Sequence, residues 1–167
     1  MNDKMLDRQE LERRLDELRA AGKKIVFTNG CFDILHVGHV RYLEEARRLG
    51  DILVVAVNSD ASVREIKGEK RPLVPEGERA ELVAALECVN FVTIFAESTP
   101  LALIRLLRPD TLVKGGDWRE ESVVGRDEVL SWGGRLRLIP MTEGASTTNI
   151  IEKILAVYRP EDAGKPG

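Results

Sequence analysis

Leu6, Leu11, Leu15 and Leu18 recur at helical spacing in a charged opening segment. That pattern predicts an amphipathic helix over 4–21, stopped by Gly22. The period then changes. Lys24-Ile-Val-Phe-Thr28 reads as a short buried strand ending in Asn29-Gly30. Residues 38–49 read as a helix closed by Gly50, and Ile52 to Val57 is a continuous apolar run. Such a run is typical of a parallel strand covered on both faces. A helix over 76–87, a strand from Asn90 to Phe95, a helix over 100–107 halted before Pro109 and a short strand from Thr111 to Val113 follow. Residues 126–132 make a short helix ended by Gly133-Gly134, Arg135 to Ile139 is the last strand, and Ser146 to Tyr158 is the final helix.

Strand and helix therefore alternate through five strands. The pattern predicts an α/β fold of Rossmann-like type: a five-stranded parallel sheet with right-handed crossovers and helices on both faces. Its ligand site is expected at the carboxyl ends of the strands. Residues 1–158 form one domain on this reading. Residues 159–167, with Pro160, Gly164, Pro166 and Gly167, are expected to be a frayed tail.

Composition narrows the function classes. The chain has 167 residues, enough for one domain with a respectable core. Hydrophobic residues at 43% and charged residues at 32% fit a cytosolic globule. No apolar run approaches the ~20 residues that span a bilayer. Met1 to Glu10 is charged, unlike a signal peptide. A net charge of −3 argues against a nucleic-acid or membrane-surface partner. Cys31 and Cys88 form no CxxC, so a reducing cytoplasm is the expected compartment.

The densest chemistry is Thr28-Asn-Gly-Cys-Phe-Asp-Ile-Leu-His-Val-Gly-His39, between the first strand and its helix. Both histidines of the chain, His36 and His39, are here, three residues apart with Gly38 between them. That spacing can turn both imidazoles toward one spot. Gly30 and Gly38 let a ligand approach the backbone closely. A helix starting near Gly38 offers free N–H groups and a positive dipole end to an anion. A plain turn with two satisfied helix-start histidines is the simpler reading of His-x-Gly-His. The preceding strand, the following helix and the residues below favour a phosphate cradle instead. Cys31, His36 and His39 make a poor zinc set, because no further histidine completes it. Cys31 is also not needed as a nucleophile in phosphoryl-type transfer. No metal-ligating set is therefore expected.

The segment TNGCFDILHVGHVRYLEEARRLGD resembles the cytidylyltransferase-like nucleotidyltransferases, whose hallmarks are an HxGH loop and a late Ser-Thr-Thr element, here Ser146-Thr147-Thr148. Within them, VAVNSDASV, KRPLVP, LVKGGDW and EGASTTNIIEKI look like the D-glycero-β-D-manno-heptose 1-phosphate adenylyltransferases of lipopolysaccharide inner-core synthesis. The resemblance covers residues 5–158. This activity is often fused behind a sugar kinase domain, and the absence of one here looks like the stand-alone form. The family is commonly dimeric, which implies a homodimer. The leucine stripe of the first helix then serves either the dimer interface or the chain's own core.

The resemblance assigns roles. His36 and His39 hold the triphosphate and stabilise the transition state. Lys67, with Lys70 and Arg71 in the loop IKGEKRPLVP, neutralises the leaving pyrophosphate, although a solvated basic loop is an equal reading. Asn29, Gly30, Cys31, Phe32 and Gly38 belong to the nucleotide-binding loop. Arg79 either faces the triphosphate or supports that loop. Gly115-Gly116-Asp117-Trp118 lines the nucleotide pocket, with Asp117 accepting from base or sugar; an ordinary turn with Trp118 packed as a hydrophobe is the plainer alternative. Thr142 belongs to the nucleotide-binding set, and Ser146 and Thr147 contact the nucleotide phosphates, while Ser146 also suits a helix N-cap.

The implied reaction is attack by a phosphate oxygen of the sugar 1-phosphate on the α-phosphorus of ATP, giving ADP-heptose and pyrophosphate. The nucleophile is already anionic, so positioning and charge neutralisation suffice. Mg2+ is expected to ride mainly on the triphosphate. Two rivals remain. One is a cytidylyltransferase for glycerol 3-phosphate or another alcohol phosphate, against which Glu87 and Met141 stand where that group carries arginines. The other is a nucleotide-binding regulator without turnover.

Overall fold

The computed structural model describes residues 3–116 and 118–158. The expected tail lies outside the described residues. Five strands form one all-parallel sheet: β1 (Ile25–Gly30), β2 (Ile52–Asn58), β3 (Phe91–Phe95), β4 (Thr111–Gly115) and β5 (Arg135–Ile139), in the order β3-β2-β1-β4-β5. Helices α1 (Arg8–Ala20), α2 (Val37–Arg47), α3 (Asp60–Lys67), α4 (Glu76–Ala84), α5 (Leu101–Leu107), α6 (Arg126–Ser131) and α7 (Thr147–Val157) alternate with them, and one 3-10 turn spans Glu120–Ser122. The fold class expected from the alternating pattern is the one observed.

β2 explains its own unbroken hydrophobicity. Leu53, Val55 and Val57 pack on one face against Leu43 and Ala46 of α2 and Ala80 and Val83 of α4. Val54 and Ala56 pack on the other against Leu11 and Leu15 of α1 and Leu103, Ile104 and Leu107 of α5. Two apolar clusters thus sandwich the sheet, as a parallel sheet requires.

Three boundaries correct the sequence reading. The opening helix begins at Arg8, not residue 4: Asp7 caps it by accepting from the Glu10 amide, and Lys4 to Leu6 run beside β3, with Leu6 N–H donating to Val92 O. α3 has no counterpart in the sequence reading, whose loop IKGEKRPLVP takes in its last two residues, because only Val63 and Ser62 of its eight residues are buried and no period emerges from so short a helix. Lys67 is consequently the last helical residue rather than a loop residue. β4 runs to Gly115, two residues past the expected end at Val113, since pairing with β5 continues through Lys114 and Gly115.

The leucine stripe of α1 is also placed. Leu11 and Leu15 are buried against α5, with Leu18 partly buried in the same cluster. Of the two uses open to the stripe, the chain's own core takes it. No described helix is long and apolar enough to cross a membrane.

Candidate active site

The chain leaves β1 for β2 on one side and returns to β4 on the other, so β1 and β4 flank the switch point of the sheet. A cleft of about 550 Å³ opens there. That volume suits a small-molecule site. Of the residues singled out from sequence, His36, His39, Lys67, Asn29, Gly30, Cys31, Phe32, Gly38, Gly115, Ser146 and Thr147 line it. Gly116 and Thr142 do not; their backbones are engaged with Ile139 O and the Ala145 amide. Asp117 lies outside the described residues. Met141 lines the cleft and Glu87 does not.

The two imidazoles stack, with ring centroids 3.9 Å apart and planes 28° apart. The Phe32 ring also meets His39, tilted by 57° with centroids 5.2 Å apart. Phe32 itself sits at φ +48°, an unusual value for a residue with a side chain, and one that marks a constrained loop. The backbone N–H of His36 donates to His39 Nδ1 at 3.4 Å. That nitrogen is therefore unprotonated, and Nε2 of the neutral ring carries the proton as a donor. Burial, aided by the neighbouring His36, pushes the His39 pKa down to about 4. Burial lowers His36 as well. Both rings are neutral near pH 7. His36 Nδ1 is buried without a protein partner.

Gly38 makes room for this packing. A Cβ there would stand 3.0 Å from the His36 ring and 3.1 Å from the Ala145 side chain. The amino end of α2 thus abuts the segment leading into α7. Ser146 caps α7 by accepting from the Asn149 amide at 3.0 Å, and Thr147 Oγ1 donates to Ile34 O at 3.4 Å. Two helix starts consequently meet at one end of the cleft, each offering amide donors and a positive dipole end.

Two buried ionic groups brace the cleft floor. Asp33 receives Arg71 and the amides of Leu73 and Val74 at 2.8 and 2.9 Å. Burial opposes ionisation of Asp33, but the Val74 amide, Arg71 and the Leu73 amide outweigh it and hold the carboxyl below its usual range. Arg79 is fully buried. Its guanidinium donates to Val74 O, Cys31 O, Asn58 O and Asp60 Oδ1. Arg79 does not line the cleft. Of its two sequence readings, the loop support is the one this geometry matches. Cys31 has its thiol pKa raised, chiefly by burial, which disfavours a thiolate.

Sequence reasoning missed Asp33, Tyr42 and Lys114. The Tyr42 hydroxyl sits 2.6 Å from Thr28 Oγ1, and its ring abuts Gly115, where a Cβ would come within 3.0 Å. Lys114 lies one strand away from Asn29, with its Nζ 3.3 Å from Asn29 Oδ1 and 5.5 Å from the Trp118 ring. The observed register of β1 with β4, continued by two residues, puts Lys114 opposite Asn29, and that register is not readable from the sequence.

The family model described as cytidylyltransferase-like matches residues 27–153. Relatives called "Bifunctional protein HldE" include those of Trichlorobacter lovleyi, 56% identical over 96% of this chain and 33% of that protein, and Geobacter metallireducens, 62% identical over 86% and 29%. The chain spans about a third of the length of these curated relatives. Among solved structures, the lipopolysaccharide core biosynthesis protein from Thermoplasma volcanium superposes with a TM-score of 0.61 at 28% identity, covering 74% of this chain and 100% of that one.

Proposed function

The chain belongs to the cytidylyltransferase-like family, and from that premise we propose that it is a cytoplasmic adenylyltransferase acting on D-glycero-β-D-manno-heptose 1-phosphate. It takes ATP as the second substrate and releases ADP-heptose and pyrophosphate. The observation that carries the reading is the stacked, neutral His36–His39 pair at the meeting of two helix starts. Neutral N–H donors and aligned backbone amides suit a polyphosphate. The identity to HldE proteins and the likeness to a lipopolysaccharide core biosynthesis protein support the sugar phosphate as acceptor.

In the reaction, a phosphate oxygen of the sugar 1-phosphate bonds to the α-phosphorus of ATP. The bond from that phosphorus to the bridging oxygen breaks, and pyrophosphate leaves with the electron pair. His36 and His39 donate to the phosphate oxygens on which charge grows. Ser146, Thr147 and the amides of α2 and α7 hold the triphosphate. Lys67, exposed at the end of α3, closes over the departing pyrophosphate. Mg2+ enters as the MgATP complex. Among the described lining residues the carboxylate is Asp33, whose oxygens are committed to Arg71, Leu73 and Val74, and no described cluster of three His, Cys, Asp or Glu is placed to hold an ion. The same reading carries a homodimer; a monomer mass in sedimentation equilibrium would remove that part of it.

A matrix of four nucleoside triphosphates against sugar 1-phosphates and polyol phosphates, scored by pyrophosphate release, tests the substrate assignment. ATP with heptose 1-phosphate is expected to lead. Preferred use of CTP with glycerol 3-phosphate would reject it.

A further inference from the structure

Lys114 stands out because no described carboxylate answers its charge. Parallel pairing of β4 with β5 sets Lys114 opposite Leu138 and carries it to the carboxyl edge of the sheet, beside Asn29 of β1. The two residues flank the switch point from its two sides. An ammonium group has three donors. One goes to the neutral amide of Asn29, and the Trp118 ring lies nearby. Among the described residues no carboxylate pairs with it. The other buried cations around the cleft are answered: Arg71 by Asp33, and Arg79 by Asp60 and three carbonyls. Burial lowers the Lys114 pKa, with the Cys31 thiol working slightly the other way. A half-buried ammonium without a counter-ion is costly, and an arriving anion repays that cost.

Two anions must meet in this cleft. The triphosphate already has the imidazole pair, two helix starts and Lys67. In-line displacement brings the acceptor oxygen to the α-phosphorus from the side opposite the leaving pyrophosphate. The acceptor's own charge therefore needs a cation apart from those holding the pyrophosphate. β4 supplies one from a different strand and a different side of the switch point. A sugar hydroxyl requires no such cation; a phosphate monoester dianion does. We infer that Lys114, steadied by Asn29, receives the phosphate monoester of the acceptor substrate and so sets the cleft's choice of a phosphorylated acceptor. The inference rests on the nucleotidyl-transfer reading above.

The test uses the full chain, Lys114→Met and Lys114→Arg. Methionine keeps the apolar stem and removes the charge. In turnover assays with heptose 1-phosphate, Lys114→Met should raise the acceptor KM by about 10–100-fold, the loss expected for one charge-assisted hydrogen bond. The ATP KM should move by less than about threefold, and Lys114→Arg should recover part of the loss. Unliganded Lys114→Met should melt no lower than the parent, since it sheds a half-buried charge that no described carboxylate pairs. A second arm needs no turnover: with the triphosphate site filled by a non-hydrolysable ATP analogue, inorganic phosphate or glucose 1-phosphate should raise the melting temperature of the parent but not of Lys114→Met. Parent protein that releases no pyrophosphate yet shows this Lys114-dependent shift would fell the reaction proposed above and leave the inference standing. Active enzyme in which Lys114→Met keeps its acceptor KM would fell the inference alone. It is equally overturned by a weakened ATP KM with the acceptor unaffected, by a lower-melting variant whose two KM values shift together, or by no phosphate-induced shift in the parent.

Discussion

His39 is in ring contact with both Phe32 and the stacked His36, and its Nδ1 is already occupied by a backbone amide. Burial keeps the proton off it, so its pKa falls from 6.5 to about 4. The sign follows. Between those values the unfolded chain binds a proton that the folded chain refuses, so stability declines as pH drops from about 6.5 toward 4, and above 6.5 this group contributes no pH dependence. The chain has two histidines, which makes the NMR titration simple to read. One ring signal of the unliganded protein should titrate near pH 4; both rings titrating near 6.5 would contradict the packing described. If the rings donate to reacting phosphates, His36→Ala or His39→Ala should lower single-turnover rates by roughly 10²–10³, with a smaller loss of ATP affinity. A variant that melts far lower yet keeps near-normal turnover would make these histidines structural instead. These residues were legible in the sequence because two histidines and a glycine at short spacing sat between a strand and a helix. Lys114 was not, because a lone lysine after the short run Thr111-Leu-Val113 looks like the end of a strand.

At the scale of elements, the crossover from β2 to α4 carries the firmest and the loosest parts of the site together. Arg79, on α4, ties the loop after β1 to the end of β2 and to Val74 through four bonds. Arg79→Met would strand the Cys31, Asn58 and Val74 carbonyls and leave Asp60 unpaired. It should destabilise the fold by about 3–5 kcal/mol, the range for breaking a buried pair. A denaturant midpoint unchanged from the parent would contradict that bracing role. Asp33 holds Leu73 and Val74, whereas Gly68 to Lys70 are exposed. Hydrogen exchange should therefore divide this segment: slow at the Leu73 and Val74 amides with or without ATP, and fast over 68–70 until ATP binds. Uniform exchange across 68–74 would refute the division. The sequence reads as one basic loop, IKGEKRPLVP. It could not reveal α3 or the Asp33 anchor, because the first has too short a period and the second is a contact spanning about forty residues.

On the scale of the whole molecule, strand and helix alternation was enough to read the sheet, its layers and the edge that carries the cleft. Each strand's hydrophobicity reported its own burial, as β2 shows with both faces covered. The partner of α1 was not readable, since a leucine stripe looks the same whether it meets a second copy or, as here, Leu103 and Leu107 of the same chain. Most of the loop residues expected at the site converge on one cleft because they follow the carboxyl ends of neighbouring strands, a consequence of topology. Arg79 departs from that group because it lies within a helix and points under the loops. The central claim is attack by an acceptor phosphate oxygen on the α-phosphorus of ATP, and isotope tracing tests it most directly. Heptose 1-phosphate labelled with 18O in its phosphate should yield ADP-heptose that retains the whole label, one atom as the new bridge, and pyrophosphate that contains none. Label in the pyrophosphate, or ATP bound with no pyrophosphate formed, would contradict the account.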